Sequence, residues 1–314
     1  LFNNFLYLLS NHYNYAKMIC DDAGPGYAVS RNWNTAQINS NLPSDKILVV
    51  DNRISSSDFT ILDEIINLNN HTILFRIGDG MKETIDNENI QYLLSIKPNK
   101  NIFFYSTYSE DFIQTILKQK HGFNKVFSLP YPYDAKNEKE INLGTRKHKI
   151  IVSGSLAAAS YPLRWYFHSN TYHKIWALRK VKYLKHPGYP DIGQMLQHPT
   201  IRTDYINYLT QFKFMLVTPS KFDYELLKFR ECAYAGCCLV GDLASSINIS
   251  KELLPGLISL DKPIKDQVNL LMKLNDYDIL KSINDYRRWF HINRDVKTIN
   301  ADLLERISAS RNIQ

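Results

Sequence analysis

At 314 residues, 44% hydrophobic and 22% charged, the chain has the composition of a globular protein and the length of two domains rather than one. It has no apolar run of about 18 residues, so no membrane-spanning helix is expected. The net charge of +7 is lopsided: residues 1–145 carry 13 Lys and Arg against 16 Asp and Glu (−3), and residues 146–314 carry 25 against 15 (+10). A basic half suits an anionic ligand, nucleic acid or an acidic membrane surface, although a solvated basic face would give the same balance.

In chain order, the opening LFNNFLYLLS is apolar but short. It lacks a basic leader and an Ala-x-Ala site, and reads as a buried helix rather than a signal peptide. There is no initiator Met, which leaves room for an upstream strand. Strands are expected at YAKMIC (15–20), KILVVD (46–51), HTILFRI (71–77), NIFFYS (101–106) and KVFSL (125–129), with helices at DFTILDEIINL (58–68) and EDFIQTILKQ (110–119). This alternation predicts a mostly parallel sheet with helices on its faces. The polar segment PYPYDAKNEKEINLGTRKH then breaks the rhythm and reads as a linker.

The rhythm restarts at KIIVSG (149–154). Helical IWALRK, strand KVKYL, helix DYINYLTQF (204–212), strand FMLVTPS (214–220), helix LLKFRECAYA, strand CCLVGD and strand LISLD (257–261) follow, then two helical stretches. The expected architecture is α/β: an N-terminal Rossmann-like domain over 1–135, a linker over 136–148, and a C-terminal Rossmann-like domain over 149–314 whose last helix packs back on the first domain. Such sheets bind ligands beyond the carboxyl ends of their strands. The cysteines Cys20, Cys232, Cys237 and Cys238 form no C-x-x-C pair and read as reduced core residues, not a zinc site.

Polar residues recur just after strand ends in the second half. Ser153, Gly154 and Ser155 follow KIIV, with Arg164 a little further on. Lys185 and His186 follow VKYL; Thr218, Pro219 and Ser220 follow FMLV; Lys228, Arg230 and Glu231 open the next helix. Backbone N–H groups at Gly-rich turns and helix N-termini suit phosphate oxygens, cations add charge, and a carboxylate can hold ribose hydroxyls. Each feature alone is weak: an SGS turn, a loop histidine and solvated lysines are commonplace.

The segment KFRECAYAGCCLVGD resembles the C-terminal part of GT-B glycosyltransferases, in particular the group-1-like and spore-protein-like enzymes. Lys228, Glu231, Gly236 and Asp242 stand at the positions of that pattern. IIVSGSLAAASYPLR is similar to the first strand and loop of the same domain, and VFSLPYPYD to the end of the family's N-terminal domain. The resemblance covers roughly 125–290; residues 1–124 match in rhythm only. It implies two Rossmann-like domains facing each other across a cleft, with a nucleotide-sugar donor seated on the second. Glu231 would hold ribose or sugar hydroxyls. Lys228, Arg164 and the 153–155 turn would neutralise the diphosphate, with His186, Ser220 and Arg230 nearby. No cofactor or metal is expected, because protein cations stabilise the departing phosphate in this fold class. The family often has Arg where Lys228 stands, which leaves open whether Lys228 or Arg230 meets phosphate.

The acceptor side is less readable. An inverting enzyme needs a base, and Asp79, between glycines after an apolar strand, is preferred over Asp22, Asp21 and Asp51. A turn-forming Asp is the plainer reading of each. The expected function is transfer of a sugar from a nucleotide-sugar to a glycan or lipid-linked acceptor, as in polysaccharide biosynthesis. The expected location is cytoplasmic, with a peripheral contact at the inner face of a membrane as an added option. Transfer to DNA bases, with nucleic acid as a less favoured partner, a CMP-sugar-dependent transferase, and a non-catalytic nucleotide-sugar-binding module are the competing readings.

Overall fold

Short apolar runs of the first half line up side by side. The structure is a computed structural model that describes residues 5–8, 27–30, 47–51, 56–68, 72–77, 88–96, 101–120, 122, 125–184 and 203–312. Strands β1 (Phe5–Leu8), β2 (Tyr27–Ser30), β3 (Ile47–Asp51), β4 (Thr72–Arg76), β5 (Ile102–Ser106) and β6 (Val126–Ser128) form one sheet in the order β2-β1-β3-β4-β5-β6. Every neighbouring pair is parallel. Parallel neighbours need long crossovers. Helices α1 (Ser56–Leu68), α2 (Glu88–Ser95) and α3 lie in them; α3 starts at Glu110–Phe112 and continues with π geometry over Ile113–Lys120. All five residues of β4 are buried, as a strand covered on both faces requires.

The second sheet has the order β10-β9-β7-β8, again all parallel, from β7 (Lys147–Val152), β8 (Val181–Tyr183), β9 (Phe212–Val217) and β10 (Cys238–Gly241). Its alternate residues feed two cores, because successive side chains in a strand point to opposite faces. Ile151, Met215, Val217 and Leu239 face one core, with Phe229, Cys232, Tyr286 and Phe290. Ile150, Val152, Phe214, Leu216 and Val240 face the other, with Phe167, Val268 and Ile283. The helices here are α4 (Pro162–Thr171), α5 (Thr203–Leu209), α6 (Leu227–Ala235), α7 (Ile264–Leu271) and α8 (Asp276–Asn293).

Helix α6 stops at Gly236, whose φ of +63° is left-handed and open to glycine at little cost. Two buried arginines hold its carboxyl end. Arg287 donates from Nε to the Ala233 carbonyl at 2.8 Å and from Nη2 to that of Tyr234 at 3.0 Å; Arg146 donates to the carbonyl of Gly236. They satisfy carbonyls left without intrahelical partners and complement the negative end of the helix dipole.

The chain divides into two units, residues 1–132 with 296–314, and residues 133–295. Helix α9 (Val296–Asn312) thus belongs with the first sheet: Ile299, Leu303 and Ile307, a four-residue stripe, pack with Ile47, Leu74 and Phe103. Residues 136–148, expected as a linker, lie inside the second unit, where Leu143 joins a core and Arg146 is buried.

Three local expectations are corrected. Within LFNNFLYLLS, Phe5–Leu8 is a strand between β2 and β3, not a buried helix; a short apolar run carries no period that separates the two. IWALRK contributes one 3-10 turn, Ile175–Ala177. LISLD adds no strand; only Leu257 bridges to Gly241. The strand expected at YAKMIC (15–20) lies outside the described residues.

Candidate functional site

The carboxyl ends of the adjacent strands β7 and β9 place the principal side chains. Beyond β7, the chain turns at Gly154 with φ +94°. A Cβ there would lie 2.6 Å from Lys228 Cε and 2.9 Å from an Arg164 nitrogen, so the bare glycine lets both cations close in on the turn. Arg164 sits in the first turn of α4 behind Pro162 and is 2% exposed. It donates to the Ser155 carbonyl at 3.0 Å and to Thr218 Oγ1, just past β9, at 3.3 Å, with its guanidinium 4.4 Å from the centre of the Tyr161 ring. Those bonds aim and immobilise its charge.

Lys228 comes from the first turn of α6. Its ammonium donates to Ser153 Oγ at 3.2 Å and to the Tyr205 hydroxyl at 2.8 Å, and lies 3.5 Å from Glu231 Oε2. Ser153 Oγ and the Tyr205 hydroxyl are themselves 2.7 Å apart. Burial pulls the Lys228 pKa down, but the oxygens of Tyr205 and Glu231 outweigh it and the net shift is upward. Burial pushes the Tyr205 phenol up, so it stays a neutral hydroxyl. The cluster therefore presents two fixed cations beside one carboxylate, an arrangement that attracts an anion carrying neighbouring hydroxyls.

Lys228 and Glu231, three apart, share a face of α6. Arg230 is turned about 200° away from Lys228 by the helical period; it is buried, with its guanidinium 5.8 Å from the centre of the Tyr234 ring. Lys228 is thus the residue paired with Glu231 on this helix, while Arg230 lies against Tyr234. Ser220 organises the loop after β9: its Oγ accepts the N–H groups of Phe222 and Tyr224 at 3.3 Å each. Ser155 Oγ accepts from Ala157 N at 3.3 Å, while its carbonyl holds Arg164.

Solved structures share this architecture. HepE from Anabaena in complex with UDP matches over 97% of this chain and 99% of its own, with TM-score 0.61 and 9% identity. TarM from S. aureus, as a mutant in complex with fondaparinux, alpha-GlcNAc-glycerol and UDP, matches over 84% of this chain at TM-score 0.58 and 14% identity. This chain spans 55% of the TarM chain, about half its length. OtsA, a trehalose-6-phosphate synthase, matches over 87% of this chain and 74% of its own, with TM-score 0.56 and 10% identity. The fold is that of the GT-B glycosyltransferases. No family model and no curated protein matches the sequence.

Within the GT-B frame, Ser153, Gly154, Ser155, Arg164, Lys228 and Glu231 converge at one sheet edge, while Asp79, Asp22 and His186 lie outside the described residues. Tyr205 and the Thr218 hydroxyl complete the cluster. Sequence reading passed over Tyr205, whose contacts lie 52 residues upstream and 23 downstream; its only local signal was a place on a helix just ahead of a strand. The three described cysteines are free and buried, and burial pushes the Cys237 and Cys238 thiols up to about 12 and about 11. Among the described residues, no three His, Cys, Asp or Glu side chains are grouped to hold a metal ion, and no helix is long and apolar enough to cross a membrane.

Proposed function

We propose that the chain transfers a sugar from a UDP-sugar to the hydroxyl of a glycan or lipid-linked acceptor. The observation that carries this reading is the convergence of Arg164 and Lys228 on the Gly154 turn. In this reading the cations neutralise the diphosphate, and Glu231 accepts from ribose or sugar hydroxyls. The bond between the anomeric carbon and the phosphate oxygen breaks, UDP leaves with the electron pair, and the acceptor oxygen bonds to that carbon. Negative charge grows on the leaving diphosphate, where preorganised cations lower the barrier most, without a metal being required. For the acceptor proton, Asp79 is the first candidate base on sequence grounds and Asp22 the second. Support for the donor comes from the GT-B neighbours, since HepE is described with UDP and UDP-glucose.

Thermal-shift and calorimetric titration with UDP, CDP, GDP and CMP test it first. UDP is expected to raise the midpoint, and Lys228→Ala to weaken UDP binding about 10- to 100-fold, the value of a charge-assisted hydrogen bond. Glu231→Ala is expected to weaken nucleotide binding and abolish transfer. Unchanged UDP binding in both variants sinks the assignment. Nucleotide binding without donor hydrolysis or transfer would identify a binding module that has lost turnover.

A further inference from the structure

Between Glu140 and Asp191 the sequence has no acidic residue in 50 positions, yet nine Lys or Arg. The donor cluster uses only Arg164 of these side chains, so the acid-free composition has another consequence. Helix α4 turns Arg164, Phe167 and Thr171 inward. Its outer face carries Trp165, His168 and Tyr172, whose rings run on from one another: 5.7 Å from Trp165 to His168, 4.5 Å from His168 to Tyr172, and 3.8 Å from Tyr172 to His173. Burial lowers the His168 pKa, so that ring is an uncharged part of the row near neutral pH.

The row leads into the 3-10 turn Ile175–Ala177. There Ile175 is 88% exposed and Leu178 61% exposed, and three-residue spacing sets both on one side of the turn. Trp165 and Tyr172 are each 43% exposed. Lys174 and Arg179 are exposed next to these apolar tips in the chain. Single exposed apolar residues need no explanation, but a contiguous aromatic and aliphatic surface edged by one sign of charge marks a binding surface.

We propose that this face of the second unit, formed by the outer side of α4 and the Ile175–Ala177 turn, docks on an anionic lipid surface. The chemistry favours a bilayer over other polyanions. Ile175 and Leu178 protrude, as side chains that enter the acyl boundary must, whereas a phosphate backbone offers them nothing. Trp and Tyr suit the headgroup level, and Lys174 and Arg179 meet lipid phosphates. The proposal goes beyond the donor reading and does not depend on it.

Co-sedimentation of the full chain with phosphatidylcholine vesicles, with and without phosphatidylglycerol, tests it. Binding is expected only with the anionic lipid and weakens with added salt. The double change Lys174→Glu and Arg179→Glu lowers partitioning about 25-fold, from about fivefold per cation. Ile175→Ser with Leu178→Ser lowers it at constant charge. All changed side chains are exposed, so unfolding midpoints stay at the parent value and UDP titration of each variant matches the parent. If the parent ignores UDP but binds vesicles, the donor reading fails and the docking surface stands. Equal partitioning of parent and variants overturns the docking proposal, as does parent binding to duplex DNA but not to vesicles. A dimer in sedimentation velocity that Ile175→Ser with Leu178→Ser abolishes would place a second copy on the face and overturn it too.

Discussion

At Gly154 one hydrogen separates two cations from a clash. An added Cβ would fall 2.6 Å from Lys228 Cε and 2.9 Å from Arg164, and an L side chain at φ +94° is strained whatever the space. Gly154→Ala is therefore expected to move Lys228 off Ser153 and Tyr205 and to cost about 1–3 kcal/mol of stability. UDP affinity should fall at least about tenfold, in step with the lost Lys228 contact. Urea unfolding and calorimetry read the two effects separately; an alanine variant with parental affinity would show that the cations do not converge on ligand through this turn. The same residue-level geometry explains the Lys228–Glu231 pair: a spacing of three returns to one face of α6, whereas Arg230, two positions after Lys228, is turned away from that lysine.

At the scale of elements, β10 and the end of α6 form a small-residue seam in which Cys232, Cys237 and Cys238 are buried. Thiolates are disfavoured there, and the folded values of about 12 for Cys237 and about 11 for Cys238 exceed the ordinary 9.0. The sign follows from linkage: above 9.0 the unfolded chain releases thiol protons that the folded chain keeps. This contribution to stability is complete below 9.0 and declines as pH rises towards about 11 and then about 12. The decline has a limiting slope of about 1.4 kcal/mol per pH unit for each thiol. Urea unfolding across this range checks the slope. A thiol reagent should leave all three cysteines unmodified in the folded protein at neutral pH; fast modification of any of them would contradict a closed seam.

For the whole molecule, the second unit contains its own cores and all of the donor cluster. Its two ends are stitched together: the Tyr133 N–H donates to the Arg294 carbonyl at 2.6 Å, and Tyr133 bridges to Asp295 in parallel register. The Tyr133 ring is buried and stacks on Tyr234 at 4.6 Å between centres. A chain of residues 133–295 is thus expected to fold alone, melt cooperatively and bind UDP with parental affinity. Circular dichroism and titration measure this, and a molten fragment would mean that the unit needs the rest of the chain.

The sequence by itself determined the alternation of elements. KILVVD, HTILFRI and NIFFYS became β3, β4 and β5, because strands buried on both faces must be short apolar runs. It also marked Lys228 and Glu231 through a pattern of one helix, a local feature. Tertiary structure alone decided what lies far apart in the chain. Phe5–Leu8 became a strand because two neighbours accepted it. The contacts that fix Lys228 were equally hidden. Ser153 stands 75 residues upstream of it and Tyr205 23 upstream, and no short-range period encodes the meeting of side chains from three different elements.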